Sequence, residues 1–115
     1  MISQHIHLVN RDEQAWVVRL TRNVESRDFQ FTWDTEAIPL LQELLQHQPK
    51  KVIVDLTGTQ HLGSPGLQLL VNMYRKLSRQ NIPMILKNPN PHLQRLLRIM
   101  QLDRIFVIKL ETEEC

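Results

Sequence analysis

Lys51-Val52-Ile53-Val54-Asp55-Leu56 is a nearly unbroken β-branched run, followed by the loop Gly58-Thr59-Gln60-His61-Leu62-Gly63 and then by Ser64-Pro65-Gly66. The run reads as a central strand covered on both faces. Pro65 forces the residue before it out of helical geometry and lacks an N–H that the first turn would leave orphaned. Ser64 is therefore read as an N-cap, and a helix starts there. Leu67, Leu70, Val71, Tyr74 and Leu77 follow at helical spacing and predict a core face. That face puts Leu69 nearly opposite and Met73 on the flank, so both are expected to point outward.

The same alternation continues downstream. Ile82-Pro83-Met84-Ile85-Leu86-Lys87 reads as a strand, Asn90-Pro91 caps a helix lined by Leu93, Leu96, Leu97 and Met100, and Ile105-Phe106-Val107-Ile108 is a last strand. Upstream, Ser3 to Asn10 alternates, with Ile6 and Leu8 opposed to His5, His7 and Val9. Ala15 to Leu20 forms a second strand after the polar Arg11-Asp12-Glu13 break. Phe29-Gln30-Phe31-Thr32-Trp33 suggests a short edge strand. Asp34 or Thr35 then caps a helix in which Ile38, Leu41 and Leu45 share a face, flanked by Ala37 and Leu44, with Pro39 in its first turn and Pro49 ending it. The expected fold is α/β: a mixed β-sheet, antiparallel at the N-terminal strands and parallel through a C-terminal βαβαβ run, packed on helices. Residues 1–115 are expected to form one domain.

Composition narrows the function. The 115 residues are 42% hydrophobic, enough for one core, and the formal charge is +2. Acids and bases alternate along the length without a basic arm, which argues against nucleic-acid binding. The opening Met1 to His7 alternates polar and apolar residues and does not resemble an export signal. The uncharged run from Gln60 to Tyr74 is shorter than a bilayer span and holds two glycines and a proline, so no membrane insertion is expected. The single cysteine, Cys115, permits no internal disulfide and no multi-cysteine metal site. A soluble, cytoplasmic protein is expected, without metal or cofactor.

Lys51 to Ile108 resembles the STAS domain, the fold of bacterial anti-sigma-factor antagonists and of the cytoplasmic tails of sulphate transporters. The resemblance rests on Val52-Ile53-Val54-Asp55-Leu56-Thr57-Gly58, Leu62-Gly63-Ser64-Pro65-Gly66-Leu67, Leu86-Lys87-Asn88-Pro89 and Leu102-Asp103-Arg104-Ile105-Phe106. In the antagonists the helix after the central strand opens with Asp-Ser-Ser-Gly, whose first serine is phosphorylated by a partner that is both anti-sigma factor and serine kinase. Ser64 falls on that serine and Gly66 on the glycine, while Gly63 replaces the aspartate and Pro65 the second serine. The resemblance implies a regulatory, non-enzymatic binding module that docks an anti-sigma factor or serine kinase and is switched at Ser64, with a serine phosphatase to reset it. It equally implies a second reading: a constitutive subunit of a lipid-transport ABC system or stress-signalling complex, docked through the same helix and never phosphorylated.

A phosphate on Ser64 would face the positive end of a helix dipole, a contact of about 0.3–1 kcal/mol, so the fold should tolerate it. A partner docked there would have to desolvate about 1.5 to 2 negative charges. The expected docking surface is Thr59, Gln60, His61, Leu62, Gly63 and Ser64 with the outward Leu69 and Met73. Thr57 and Thr59 are secondary phosphate acceptors. Set against this, Ser64 as a plain N-cap is worth about 1 kcal/mol to its helix. His5 and His7 point the same way on a strand but lack a third ligand. His61 has no carboxylate to orient it as a base, and no nucleophile elbow is present. Gly58 and Gly63 lack the Gly-Lys-Ser ending of a P-loop. Asp55 is read as fixing the following loop through the N–H of Thr57 or Gly58.

Overall fold

The computed structural model describes residues 6–11, 14–20, 29–57, 59 and 64–110. Five strands form one sheet: β1 (Ile6–Arg11), β2 (Ala15–Leu20), β3 (Lys51–Asp55), β4 (Met84–Lys87) and β5 (Val107–Lys109). Their order in the sheet is their order in the chain, with β3 at the centre. β1 and β2 are antiparallel, and every later neighbour is parallel. The helices are α1 (Phe29–Thr32), α2 (Ile38–His47), α3 (Ser64–Ser78) and α4 (Pro91–Ile99).

Each crossover steps one strand in the same direction, and right-handed connections of that kind deposit their helices on one face. The register confirms a one-sided core. Trp16, Val52 and Met84 form one row and Val18, Val54 and Leu86 the next, all buried. The alternate row, with Val17 and Ile53 half-buried and Ile85 buried, is not part of the core cluster. Among the described residues the β-branched run at β3 therefore has one helix-covered face rather than the two expected.

The segment Phe29–Trp33, expected as a strand, is helical. α1 passes through a π-helical turn, Trp33–Ala37, into α2, so neither Asp34 nor Thr35 caps a helix start. Pro39 supplies the cause: it offers no N–H to the ladder, and its ring clashes with the carbonyl four residues back. The chain widens ahead of it, with the Ile38 N–H reaching back to the Trp33 carbonyl. The buried face of this stretch is Thr32, Glu36 and Ala37, followed by Leu41 and Leu44, while Ile38 and Leu45 are half-buried. Glu36 is tolerated inside because its Oε1 accepts the backbone N–H of Ile6 at 3.1 Å, tying β1 to the helical layer. Gln48 ends α2 in the left-handed region, its N–H on the Leu44 carbonyl at 2.8 Å.

α3 corrects the outward assignment of two residues. Leu69 is 0% and Met73 2% exposed, whereas Val71 and Tyr74 are only half-buried. At about 100° per residue the buried arc runs from Leu69 through Met73, Gly66, Leu77 and Leu70 to Leu67. α3 packs against α1 and α2 as well as β4, so its apolar arc is wide and rotated away from the stripe that the sheet alone would bury.

Candidate functional site

The parallel strands end together at one rim of the sheet, where α3 and α4 begin. Loops at the carboxyl ends of parallel strands are where an α/β sheet exposes its functional groups. Here the rim is stitched by side chains that the strand ends themselves provide.

Asp55, the last residue of β3, is the hub. Its Oδ1 accepts the Thr57 N–H at 2.9 Å and the Thr57 hydroxyl at 2.5 Å, and its Oδ2 accepts Arg19 Nη2 at 3.1 Å and Nε at 3.3 Å. Arg19 stands opposite Asp55 in the β2–β3 register, so the pairing follows directly from the sheet. The Asp55 side chain is 8% exposed and that of Arg19 47%. Burial pushes the Asp55 carboxyl up, but the Thr57 hydroxyl and N–H and the Arg19 guanidinium together outweigh it and hold the group below its ordinary value. The loop-fixing role expected for Asp55 is thus realised through Thr57.

Further bonds carry the stitching across four strands. Asn88 Nδ2 donates to Thr57 Oγ1 at 3.3 Å, and the Asn88 N–H to the Lys109 carbonyl at 2.8 Å. The Thr59 hydroxyl donates to the Leu20 carbonyl at 2.6 Å, while Asn90 Nδ2 donates to the Thr59 carbonyl at 3.3 Å. Asn90 also caps α4 as expected, accepting the Leu93 N–H on Oδ1 at 2.8 Å. Residues from β2, the β3–α3 loop and the β4–α4 loop are so held in one network.

Of the expected docking residues, Thr59 is 4% exposed with its hydroxyl committed to Leu20. It is therefore a structural tie, neither a contact nor a phosphate acceptor. Thr57 is exposed, but its hydroxyl is engaged on both sides, donating to Asp55 and accepting from Asn88. Gln60, His61, Leu62 and Gly63 lie outside the described residues, as does His5. α3 begins at Ser64, as the Ser-Pro pair predicts. Leu69 and Met73 belong to the core and leave the surface around Ser64. Sequence reasoning missed the Arg19, Asn88 and Asn90 ties. Only the strand register, which aligns Arg19, Asp55, Lys87 and Lys109 in one row, could have pointed to the first.

Among the described residues no group of three His, Cys, Asp or Glu could hold a metal ion. No described helix is long and apolar enough to cross a membrane. Among the described residues, Asp55, Thr57 and Thr59 spend their side-chain groups in holding the rim together. The site is an edge fastened by side-chain hydrogen bonds.

Such an edge, on a five-stranded mixed sheet with its described helices on one face, defines a small α/β module. The STAS domain model matches residues 13–115, and the chain belongs to that family. Family members are generally non-enzymatic regulatory modules. Among solved structures, an anti-sigma-factor antagonist (STAS) domain protein from Planctomyces limnophilus is 20% identical, with a TM-score of 0.72 over 96% of this chain and 94% of that one. The anti-sigma factor antagonist SpoIIAA in its unphosphorylated form is 17% identical, with a TM-score of 0.70 over 95% and 91%. The phosphorylated form of Bacillus SpoIIAA is 17% identical, with a TM-score of 0.62 over 95% of each chain. At these identities the likeness concerns the fold. No curated protein matches the chain's sequence.

Proposed function

We propose that this domain is a protein-binding switch. The start of α3 docks a partner resembling an anti-sigma factor and serine kinase, and a phosphate on Ser64 releases it. The observation that supports this most is the rim network: Asp55, Thr57, Thr59 and Asn90 fasten the loop that leads into α3 to β2 and to the start of α4. Charge added at a fastened edge changes docking without disturbing the core, since a partner must desolvate about 1.5 to 2 extra charges while the helix N-terminus favours them by about 0.3–1 kcal/mol. SpoIIAA, solved both without and with its phosphate, supports the idea that this fold carries the modification. With Leu69 and Met73 buried, the docking surface narrows to the loop and the first turn of α3.

The test is incubation of the intact chain with the cognate kinase and ATP, followed by mass spectrometry and capture assays. Phosphate on Ser64, with a Ser64→Glu variant losing the kinase and Ser64→Ala retaining it, is the expected outcome. A captured partner that leaves Ser64 unmodified would replace the switch with the constitutive assembly subunit.

A further inference from the structure

Among the described residues, six large hydrophobic side chains are more than a third exposed, and four of them fall between positions 99 and 107: Ile99 at 67%, Met100 at 55%, Ile105 at 38% and Val107 at 51%. They occupy the end of α4, the 3-10 turn Leu102–Arg104 and the start of β5, the edge strand. Ile105 and Val107 line an open groove of about 300 Å³ together with Tyr74, Pro83 and Met84. The groove is firm: Met84 is core, and Tyr74 is braced edge-on against Phe106 with ring centroids 5.5 Å apart.

The charge around it is net positive. From residue 56 to residue 115 the chain carries eight Lys and Arg against four acids, Asp103, Glu111, Glu113 and Glu114; the modest overall charge hides this because residues 1–55 are net acidic. Arg98 adjoins Ile99 and Arg104 adjoins Ile105, both exposed, with Asp103 exposed beside Arg104, while Lys109, two residues past Val107 on the same sheet face, lies in the Asp55 row toward the rim. Exposed apolar area bordered by Arg98 and Arg104, with Asp103 the one described acid beside it, fits an occupant that is apolar and negative at once. A second copy would bring like charges together. A phosphate backbone would leave the aliphatic side chains unmatched, and a flat bilayer could not fill a recessed groove.

We infer that the β5 edge is a second docking surface, which takes an acidic segment of a partner protein with one large apolar side chain seated between Tyr74, Ile105 and Val107. It lies at the opposite end of α3 from Ser64. The 15 residues of that helix separate the two surfaces by about 20 Å, so one domain can hold both occupants together.

A random 12-residue peptide display library, selected on the intact protein and subtracted with a Val107→Asp/Arg104→Glu variant, tests this. The expected result is enrichment of Asp and Glu around a large apolar residue. A synthesised, fluorescein-labelled winner should lose about tenfold or more in affinity with either single substitution and none with Gln46→Ala on α2. Both substituted positions are exposed, and matched thermal melts check that the variants fold. Winners without acidic enrichment, or winners indifferent to Val107→Asp, overturn the inference. So does binding of phosphatidylglycerol vesicles or duplex DNA that depends on the same residues when no peptide is enriched. No kinase, ATP or Ser64 chemistry enters the readout, so an unphosphorylated Ser64 leaves this surface standing.

Discussion

The two ends of α3 present opposite kinds of surface. At the strand-end rim polar side chains spend their hydrogen bonds on one another, and no large aliphatic side chain is exposed among the described residues there. At the β5 edge the polar groups stand apart and aliphatic side chains project. The first end is fastened by its own hydrogen bonds; the second leaves aliphatic area and two arginines exposed. The difference teaches that neither end of α3 exposes the helix's own leucines, all of which face inward.

The comparison breaks most severely if the core beneath both ends is opened. Leu69→Ala should cost about 2–5 kcal/mol in urea unfolding, because a fully buried leucine leaves a cavity. A loss below about 1 kcal/mol would return Leu69 to the surface. Next, Asp55→Asn should cost about 1.5–3 kcal/mol by removing charge-assisted bonds to Arg19 and Thr57. Its folded-state pKa is depressed, so the contribution is complete above the unfolded value near 4 and is lost as pH falls through the folded one. The gap between wild type and Asp55→Asn should therefore be constant around neutrality and close below about pH 4. A gap that widens on acidification would contradict the assignment.

Smaller effects sharpen the contrast. Asn90→Ala removes both the α4 cap and the tie to Thr59, and thermal melts should show a loss of about 1 kcal/mol. At the other end, Val107→Asp should change stability by no more than about 0.5 kcal/mol, since its side chain is half in water. A large loss there would mean that the edge is structural.

Much of this architecture was legible in the residues. Ser64-Pro65 and Asn90-Pro91 announce helix starts through chemistry local to four residues, and both starts fall where expected. The β-branched run at 52–54 located the central strand. What failed did so for reasons of packing. Phe29, Phe31 and Trp33 alternate like a strand, while the helical face that is really buried there carries Thr32 and Glu36, which give no apolar period. The α3 stripe was misjudged because the neighbouring helices, invisible to a single helical wheel, bury Leu69 and Met73. The rim ties join residues 31 to 39 apart, as Thr57 to Asn88 and Thr59 to Leu20, and no local pattern encodes them.

The strand order has a consequence for biosynthesis. Since every strand lies beside the one synthesised just before it, no segment must be threaded between two others already paired. The sheet can be laid down progressively as the chain leaves the ribosome, from the β1–β2 hairpin onward. β5 is the last strand to join, so truncated products that stop short of it would keep the rim's Asp55 hub while lacking the edge altogether.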